Sequence, residues 1–300
     1  MGGSDLLYLL SLFVLAGAAF LALAYLVDFK IEFGRPRLGE PMPKRPYLKG
    51  CGPFELRGTN EWGVFLIHGL SGSPAQMKPL AKALNEAGMT CYAPVLAGHA
   101  THPDDLFYME WRQWYGAIRE EFVKFRAQHE KVMVIGFSLG AALAIRLGTE
   151  FPDIDRCVCI STPGKFFHQY LPTHYVLKLA WLFSNVSRAW PKRYPQGPDG
   201  PEYLIYRHMP LDALFAVTAL CDENRKVLDR FSTPLLMLHS ENDPSCKVDG
   251  ARYVYSHVSS SYKRLVMFEK APHGLMHDGT EEQQELLVEN VLQFTKTDMS

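Results

Sequence analysis

The chain has 300 residues, 47% of them hydrophobic and 21% charged, with a formal net charge of −1. That composition supplies a sizeable globular core and excludes a disordered or low-complexity chain. The near-neutral balance, with no basic stripe, excludes nucleic acid as a partner.

Leu6 to Val27 contains no charged residue and is mostly Leu, Ala, Phe and Val. As a helix it would span about 33 Å, enough for a hydrocarbon core. Met1 to Asp5 carries no Lys or Arg, unlike the start of a signal peptide, so residues 1–30 read as a retained N-terminal transmembrane anchor and the membrane as a partner. Lys30, Arg35, Arg37, Lys44 and Arg45 all follow the span, which predicts a single-pass protein with its C-terminal bulk on the cytoplasmic side. Pro36, Pro41, Pro43, Pro46 and Pro53 make residues 31–55 a stiff Pro-rich linker. Residues 56–300 then form the globular domain.

Within it, Val64–Ile67 is a short apolar run closed by His68-Gly69 and reads as a buried strand. Pro74–Ala87 has helical spacing and stops at Gly88; Thr90–Val95 is a second strand. Asp104 is predicted to cap a long helix whose Trp111, Trp114, Ile118, Phe122 and Phe125 share one face. Val132–Ile135 is a strand, followed by Gly136-Phe137-Ser138-Leu139-Gly140 and the alanine-rich helical stretch Ala141–Leu147. Cys157–Ile160, Leu235–Leu238 and Arg264–Phe268 are further strands, and Thr280–Thr295 is a closing helix with Thr280 and Gln283 set as a capping box. Strands that are short, apolar and not alternating predict a mostly parallel sheet covered by helices on both faces. The aromatic-rich stretch 163–231 interrupts the alternation and reads as a helical lid or cap insertion, a helical extension of the core being the competing reading. Of the six cysteines, Cys157 and Cys159 share one strand and read as small buried side chains, and neither a C-x-x-C pair nor a His cluster points to a metal.

Strand, sharp turn and helix is the setting in which G-x-S-x-G becomes a nucleophile elbow, with Ser138 in a strained conformation and Gly136 and Gly140 giving it room. A serine hydroxyl needs a base, and the base an orienting carboxylate. Asp243 follows the strand Leu235–Leu238 and is preferred to Glu241; Asp155 precedes its strand, and Asp212 and Asp222 fall in the insertion. His273 occupies the loop after the last strand, with His277 as its rival, while His99, His102, His129 and His257 read as core or surface residues. Two backbone N–H groups must face the developing oxyanion. Leu139 and Leu70 are the candidates, the latter in His68-Gly69-Leu70-Ser71-Gly72, where His68 braces the loop rather than reacting.

These pieces resemble the α/β-hydrolase family over about residues 60–297, and within it the bacterial carboxylesterases and monoacylglycerol lipases. The likeness rests on His68 to Gly72, Gly98-His99, Gly136 to Gly140, Asp243-Pro244 and Pro272-His273 through Asp278. It implies an α/β fold with an eight-stranded sheet, a lid over an acyl pocket, and serine-esterase hydrolysis through Ser138, His273 and Asp243, with no cofactor and no metal. An apolar lid and an anchor together favour a lipid-like ester, such as a monoacylglycerol or lysophospholipid, as the small-molecule partner. A thioesterase or other acyl hydrolase, or a non-catalytic binding module of the same fold, stays open. Two positions depart from the family: Ala100 stands where a glycine often follows Gly-His, and Ser245-Cys246 stand where valines are usual.

Overall fold

A computed structural model gives the fold and describes residues 15, 19, 44–164, 189–191, 206 and 208–298. The chain divides into two compact units, Met1–Met42 with Phe167–Arg188, and Pro43–Phe166 with Ala189–Ser300. The first lies almost wholly outside the described residues, and everything below concerns the second.

The expected membrane placement is corrected at this point. No helix among the described residues is long and apolar enough to cross a membrane. Apart from Leu15 and Ala19, the span Leu6–Val27 lies outside the described residues, and no described helix supports the anchor. The single-pass, cytoplasm-facing assignment therefore falls.

Seven strands make one sheet: β1 (Phe54–Leu56), β2 (Trp62–Ile67), β3 (Thr90–Ala93), β4 (Lys131–Phe137), β5 (Arg156–Ile160), β8 (Leu235–Ser240) and β9 (Lys263–Phe268), in the order β1-β3-β2-β4-β5-β8-β9. Only β1 runs antiparallel, pairing Phe54 with Ala93. The resemblance implied eight strands; seven are present among the described residues. β1 begins inside the stretch read as linker, because three residues with Glu55 in the middle carry no apolar run.

Both faces of the central strands are buried, which explains their unbroken apolar sequence. Val64, Leu66, Met133, Ile135, Val158 and Leu236 pack with Leu80 and Leu84 of α1 (Lys78–Glu86) and with Leu287, Val291 and Phe294 of α6 (Glu281–Lys296). On the other face Phe65 meets Phe122 and Phe125 of α2 (Trp111–Arg126), with ring centroids 5.5 and 5.6 Å apart. Each fully buried aliphatic or aromatic side chain contributes about 1.5–3 kcal/mol. The α2 stripe is thus core packing, as its period indicates. Its start differs from expectation. Pro103–Tyr108 forms a 3-10 turn, and the helix begins at Trp111, where the Glu110 N–H donates to the Gln113 side chain at 2.7 Å.

Within the expected insertion, residues 165–188 and most of 192–207 lie outside the described residues. What is described there includes a two-stranded antiparallel ribbon, β6 (Ala189–Pro191) with β7 (His208–Pro210), and helix α4 (Leu211–Arg225). Ala213, Leu220 and Cys221 of α4 are buried, and the Asn224 amide donates to the Ala142 carbonyl at 2.7 Å. That part of the segment is core rather than cover. Ala142 belongs to α3 (Leu139–Glu150), and α5 (Val248–His257) follows β8.

Candidate active site

Parallel strands bring their C-terminal ends to one edge of the sheet, where β4, β5, β8 and β9 release the loops that build the site. β4 passes directly into α3 through Ser138, whose φ of 53° and ψ of −116° lie in a region that L-residues rarely adopt. The turn is possible because its neighbours lack side chains. A Cβ on Gly136 would stand 2.1 Å from the Gly140 carbonyl oxygen, and one on Gly140 would stand 2.0 Å from the Ile67 carbonyl oxygen. The Ser138 N–H is held by the Ile160 carbonyl at 2.9 Å. Its hydroxyl therefore stands at the N-terminal end of α3, where the helix dipole favours developing negative charge.

Ser138 Oγ lies 3.1 Å from His273 Nε2, and His273 Nδ1 lies 2.7 Å from Asp243 Oδ2. The other carboxylate oxygen, Oδ1, accepts the N–H groups of Ser245 (2.7 Å) and Cys246 (2.8 Å). Burial pushes the Asp243 carboxyl upward, but its hydrogen bond and charge interaction with His273 and the two amides outweigh this and hold it below the usual carboxylate range. An ionised Asp243 can only accept, so His273 Nδ1 carries the proton and Nε2 is free to accept from the Ser138 hydroxyl. The departure at Ser245-Cys246 leaves the hold on Asp243 intact, since both residues bind it through their main chain, while the Cys246 thiol also lies in hydrogen-bonding contact with Ser138. The buried Cys246 thiol is pushed well up by desolvation and by Asp243, and so stays a neutral neighbour.

The rival histidine, His277, packs edge-on against Phe137 with centroids 5.5 Å apart and sits 3.5 Å from the Asp278 carboxylate. The structure brings together Ser138, His273 and Asp243; Glu241 is exposed, and Asp155 binds the Val132 N–H at the opposite end of the sheet.

The loop after β2 lies against the serine. A Cβ on Gly69 would come within 3.4 Å of Ser138 Cβ. Leu139 opens α3, so its N–H has no carbonyl four residues back inside the helix. The Leu70 segment is fixed on several sides. Gly69 N–H donates to the Gln76 side chain at 3.3 Å, and Gly72 N–H to the Gly69 carbonyl at 3.3 Å. His68 Nε2 accepts the Leu96 N–H at 3.1 Å, so its Nδ1 carries the proton and donates to the Gly69 carbonyl at 2.9 Å. Burial, reinforced by nearby His99, holds His68 well below its ordinary range and keeps it neutral. It braces the loop, as expected. Gln76 and Tyr206 escape sequence reasoning. The Tyr206 N–H binds the Ser71 carbonyl at 2.9 Å, and its hydroxyl accepts the Thr101 N–H at 3.1 Å. Neither carries a motif: Gln76 works on a backbone N–H seven residues back, and Tyr206 on backbone groups far away in the sequence. Beside them, Ala100 has φ 60°, the left-handed region that explains the family's glycine there. Among the described residues, no group of three or more His, Cys, Asp or Glu side chains is arranged to hold a metal ion.

The family described as "Hydrolase_4: Serine aminopeptidase, S33" matches residues 58–280. The chain belongs to this family. The hydrolase is 27% identical over 261 residues to a thermostable monoacylglycerol lipase of Bacillus sp. (strain H-257), covering 83% of its own length and 96% of the lipase. It is 24% identical to a carboxylesterase of Bacillus subtilis (strain 168), covering 81% and 95% of the two chains. Among solved structures, one from a study of the metagenome-derived lipolytic enzymes LipS and LipT superposes with a TM-score of 0.73 at 23% identity, covering 84% and 99%. A soluble variant of monoglyceride lipase from Saccharomyces cerevisiae gives 0.68 at 14% identity, covering 88% and 99%. These likenesses show the α/β-hydrolase fold, and the chain is a serine hydrolase of the carboxylic ester hydrolase class.

The buried imidazoles give the hydrolase an acid-labile core. Desolvation pulls His277 down to about 4, against the opposing pull of Asp278, and desolvation also lowers His68 and His239. Each is neutral when folded and takes up a proton near pH 6.5 when unfolded. Its contribution to stability is complete above that pH and is lost as the pH falls toward the folded value. For His277 alone this amounts to about 3 kcal/mol by pH 4. The calorimetric midpoint is expected to be level from pH 8 to 7 and to fall steadily from pH 6.5 to 4; a midpoint unchanged down to pH 4 would contradict the buried neutral state.

Proposed function

We propose that the hydrolase cleaves carboxylic acyl esters through an acyl-enzyme, with Ser138 as nucleophile, His273 as general base and acid, and Asp243 as the orienting carboxylate. The observation that carries this reading is the unbroken hydrogen-bonded relay from Asp243 Oδ2 through His273 to Ser138 Oγ, at 2.7 and 3.1 Å. His273 Nε2 takes the hydroxyl proton as Ser138 Oγ attacks the ester carbonyl. The oxyanion is received by the Leu70 and Leu139 N–H groups. The proton passes from Nε2 to the departing alkoxide and the alcohol leaves. A water then repeats the sequence on the acyl-enzyme and frees the acid and Ser138. Every proton is carried by His273 and every charge met by the chain's own groups, so the reaction as written calls for no cofactor.

The substrate proposed is a lipid-like ester, a monoacylglycerol in the first instance. The apolar and aromatic content of residues 165–207 supports this, together with a relative named for monoacylglycerol hydrolysis that is covered over 96% of its length. The family description names an aminopeptidase, so the test sets the two chemistries side by side: turnover of 1-monoacylglycerols and p-nitrophenyl acyl esters against aminoacyl p-nitroanilides, for the parent and for Ser138→Ala. Turnover of the esters, with a loss of about 10⁴-fold or more in Ser138→Ala, is expected. Turnover confined to the anilides, or esterase activity surviving in Ser138→Ala, would overturn the proposal.

A further inference from the structure

The end of β5 touches every segment that carries the proposed triad. The Ile160 carbonyl accepts the Ser138 N–H at 2.9 Å, and the Ser161 N–H donates to the Leu238 carbonyl at 2.9 Å, on the strand that leads to Asp243. The Ser161 hydroxyl donates to the main-chain carbonyl of His273 itself at 2.7 Å, across 112 positions of sequence. Ser161 is fully buried, with φ 51°, a conformation that a buried strand exit would ordinarily give to glycine or asparagine. A hydroxyl is thus held in a left-handed position where a glycine would sit without strain.

The loop that presents His273 lies between β9 and α6 and belongs to no regular element. Its ties flank the histidine. Upstream, the Ser240 hydroxyl donates to the Ala271 carbonyl at 2.6 Å; downstream, the N–H groups of His277 and Asp278 return to the Gly274 carbonyl at 2.9 and 2.7 Å. The Ser161 hydroxyl is what fastens the main chain of His273 to the sheet.

We propose that Ser161 is a positioning residue for this reaction, keeping the His273 imidazole in register with Ser138 by anchoring the His273 main chain. This rests on the triad reading above. It acts on the geometry of proton transfer, where a displacement of about 1 Å can cost up to ~100-fold, and not on substrate affinity.

The test is steady-state kinetics and thermal melting of the full chain with Ser161→Ala and Ser161→Gly, beside Ser138→Ala and His273→Ala. Both Ser161 variants are expected to lose about tenfold in kcat with KM within about twofold. Glycine also relieves the left-handed strain, which offsets part of the lost hydrogen bond, so Ser161→Gly is expected to stay folded and lose kcat with KM held, a split that a purely structural serine would not give. Should the alanine variant fail to fold, Ser161→Gly alone decides. A kcat loss below about threefold in Ser161→Gly, or one accompanied by an equal rise in KM, overturns the proposal. The controls separate the layers. Inactive Ser138→Ala and His273→Ala beside an unimpaired Ser161→Gly reject only the role of Ser161, whereas parent rates in the two controls reject the triad and the inference with it.

Discussion

Asp243→Asn is expected to lower kcat by about 10³–10⁴-fold while leaving KM within a few-fold and the fold intact. The size follows from how the carboxylate is held. Oδ1 receives two backbone N–H groups, at 2.7 and 2.8 Å, while Oδ2 faces His273 Nδ1 at 2.7 Å. An asparagine fits the same space, but the two amides claim its oxygen. Its NH₂ must then face Nδ1, which becomes an acceptor and drives the ring proton onto Nε2. That nitrogen can no longer take a proton from Ser138, although all the heavy atoms stay in place. Asp243→Ala is expected to lose a similar rate and also to leave the Ser245 and Cys246 amides unpaired. Steady-state kinetics with circular dichroism on each variant checks this, and a tenfold or smaller loss in Asp243→Asn would assign the orienting role elsewhere.

Gly140→Ala is expected to cost about 3 kcal/mol or more of stability and most of the activity. The added Cβ would lie 2.0 Å from the Ile67 carbonyl oxygen and 2.8 Å from that of His68, and both atoms belong to backbone fixed by β2 and its exit. No side chain can swing away, so α3 must withdraw from β2. The same shift separates the Leu139 amide from the Leu70 loop, so chemistry and stability fall together. Gly116, midway along α2, is the control: a Cβ there meets nothing within 4 Å. Gly116→Ala is expected to raise stability by about 0.5–1 kcal/mol through helix propensity alone. Thermal melts of the two variants, measured together, read the contrast directly, and equal effects would contradict the close packing of the elbow.

The legible part of this fold was the part where an apolar run meets a sharp stop. β2, β4, β5 and β8 are buried on both faces, so their apolar runs are unbroken and end at Gly, Ser or polar residues, whereas β9, the last strand of the sheet, is only partly buried and is apolar from Leu265 to Phe268. Ser138, Asp243 and His273, which the fold brings within hydrogen-bonding distance of one another, each sit a short way beyond a strand end. β1 was hidden by its length and by the alternation of an edge strand, and the true start of α2 by a 3-10 turn that begins with proline just as a helix would. Helix α4 was folded into the expected insertion because its buried side, with Ala213, Leu220 and Cys221, gives no sharp amphipathic stripe. An apolar stretch of sufficient length invited a membrane span at Leu6–Val27, and composition alone was not enough to sustain it. Gln76, Ser161 and Tyr206 carry no signal for a different reason. Ser161 and Tyr206 bind main-chain groups of distant segments and Gln76 one a short way back in the chain, and a main-chain group leaves no mark on the sequence that displays it.

The central claim is that Ser138 is the atom acylated during turnover. Intact mass and peptide mapping after treatment with a fluorophosphonate test it most directly. One adduct per chain is predicted, on the peptide containing Ser138, formed in step with loss of esterase activity and absent in Ser138→Ala. Inhibition with the adduct on another residue, or full labelling of Ser138→Ala, would contradict it.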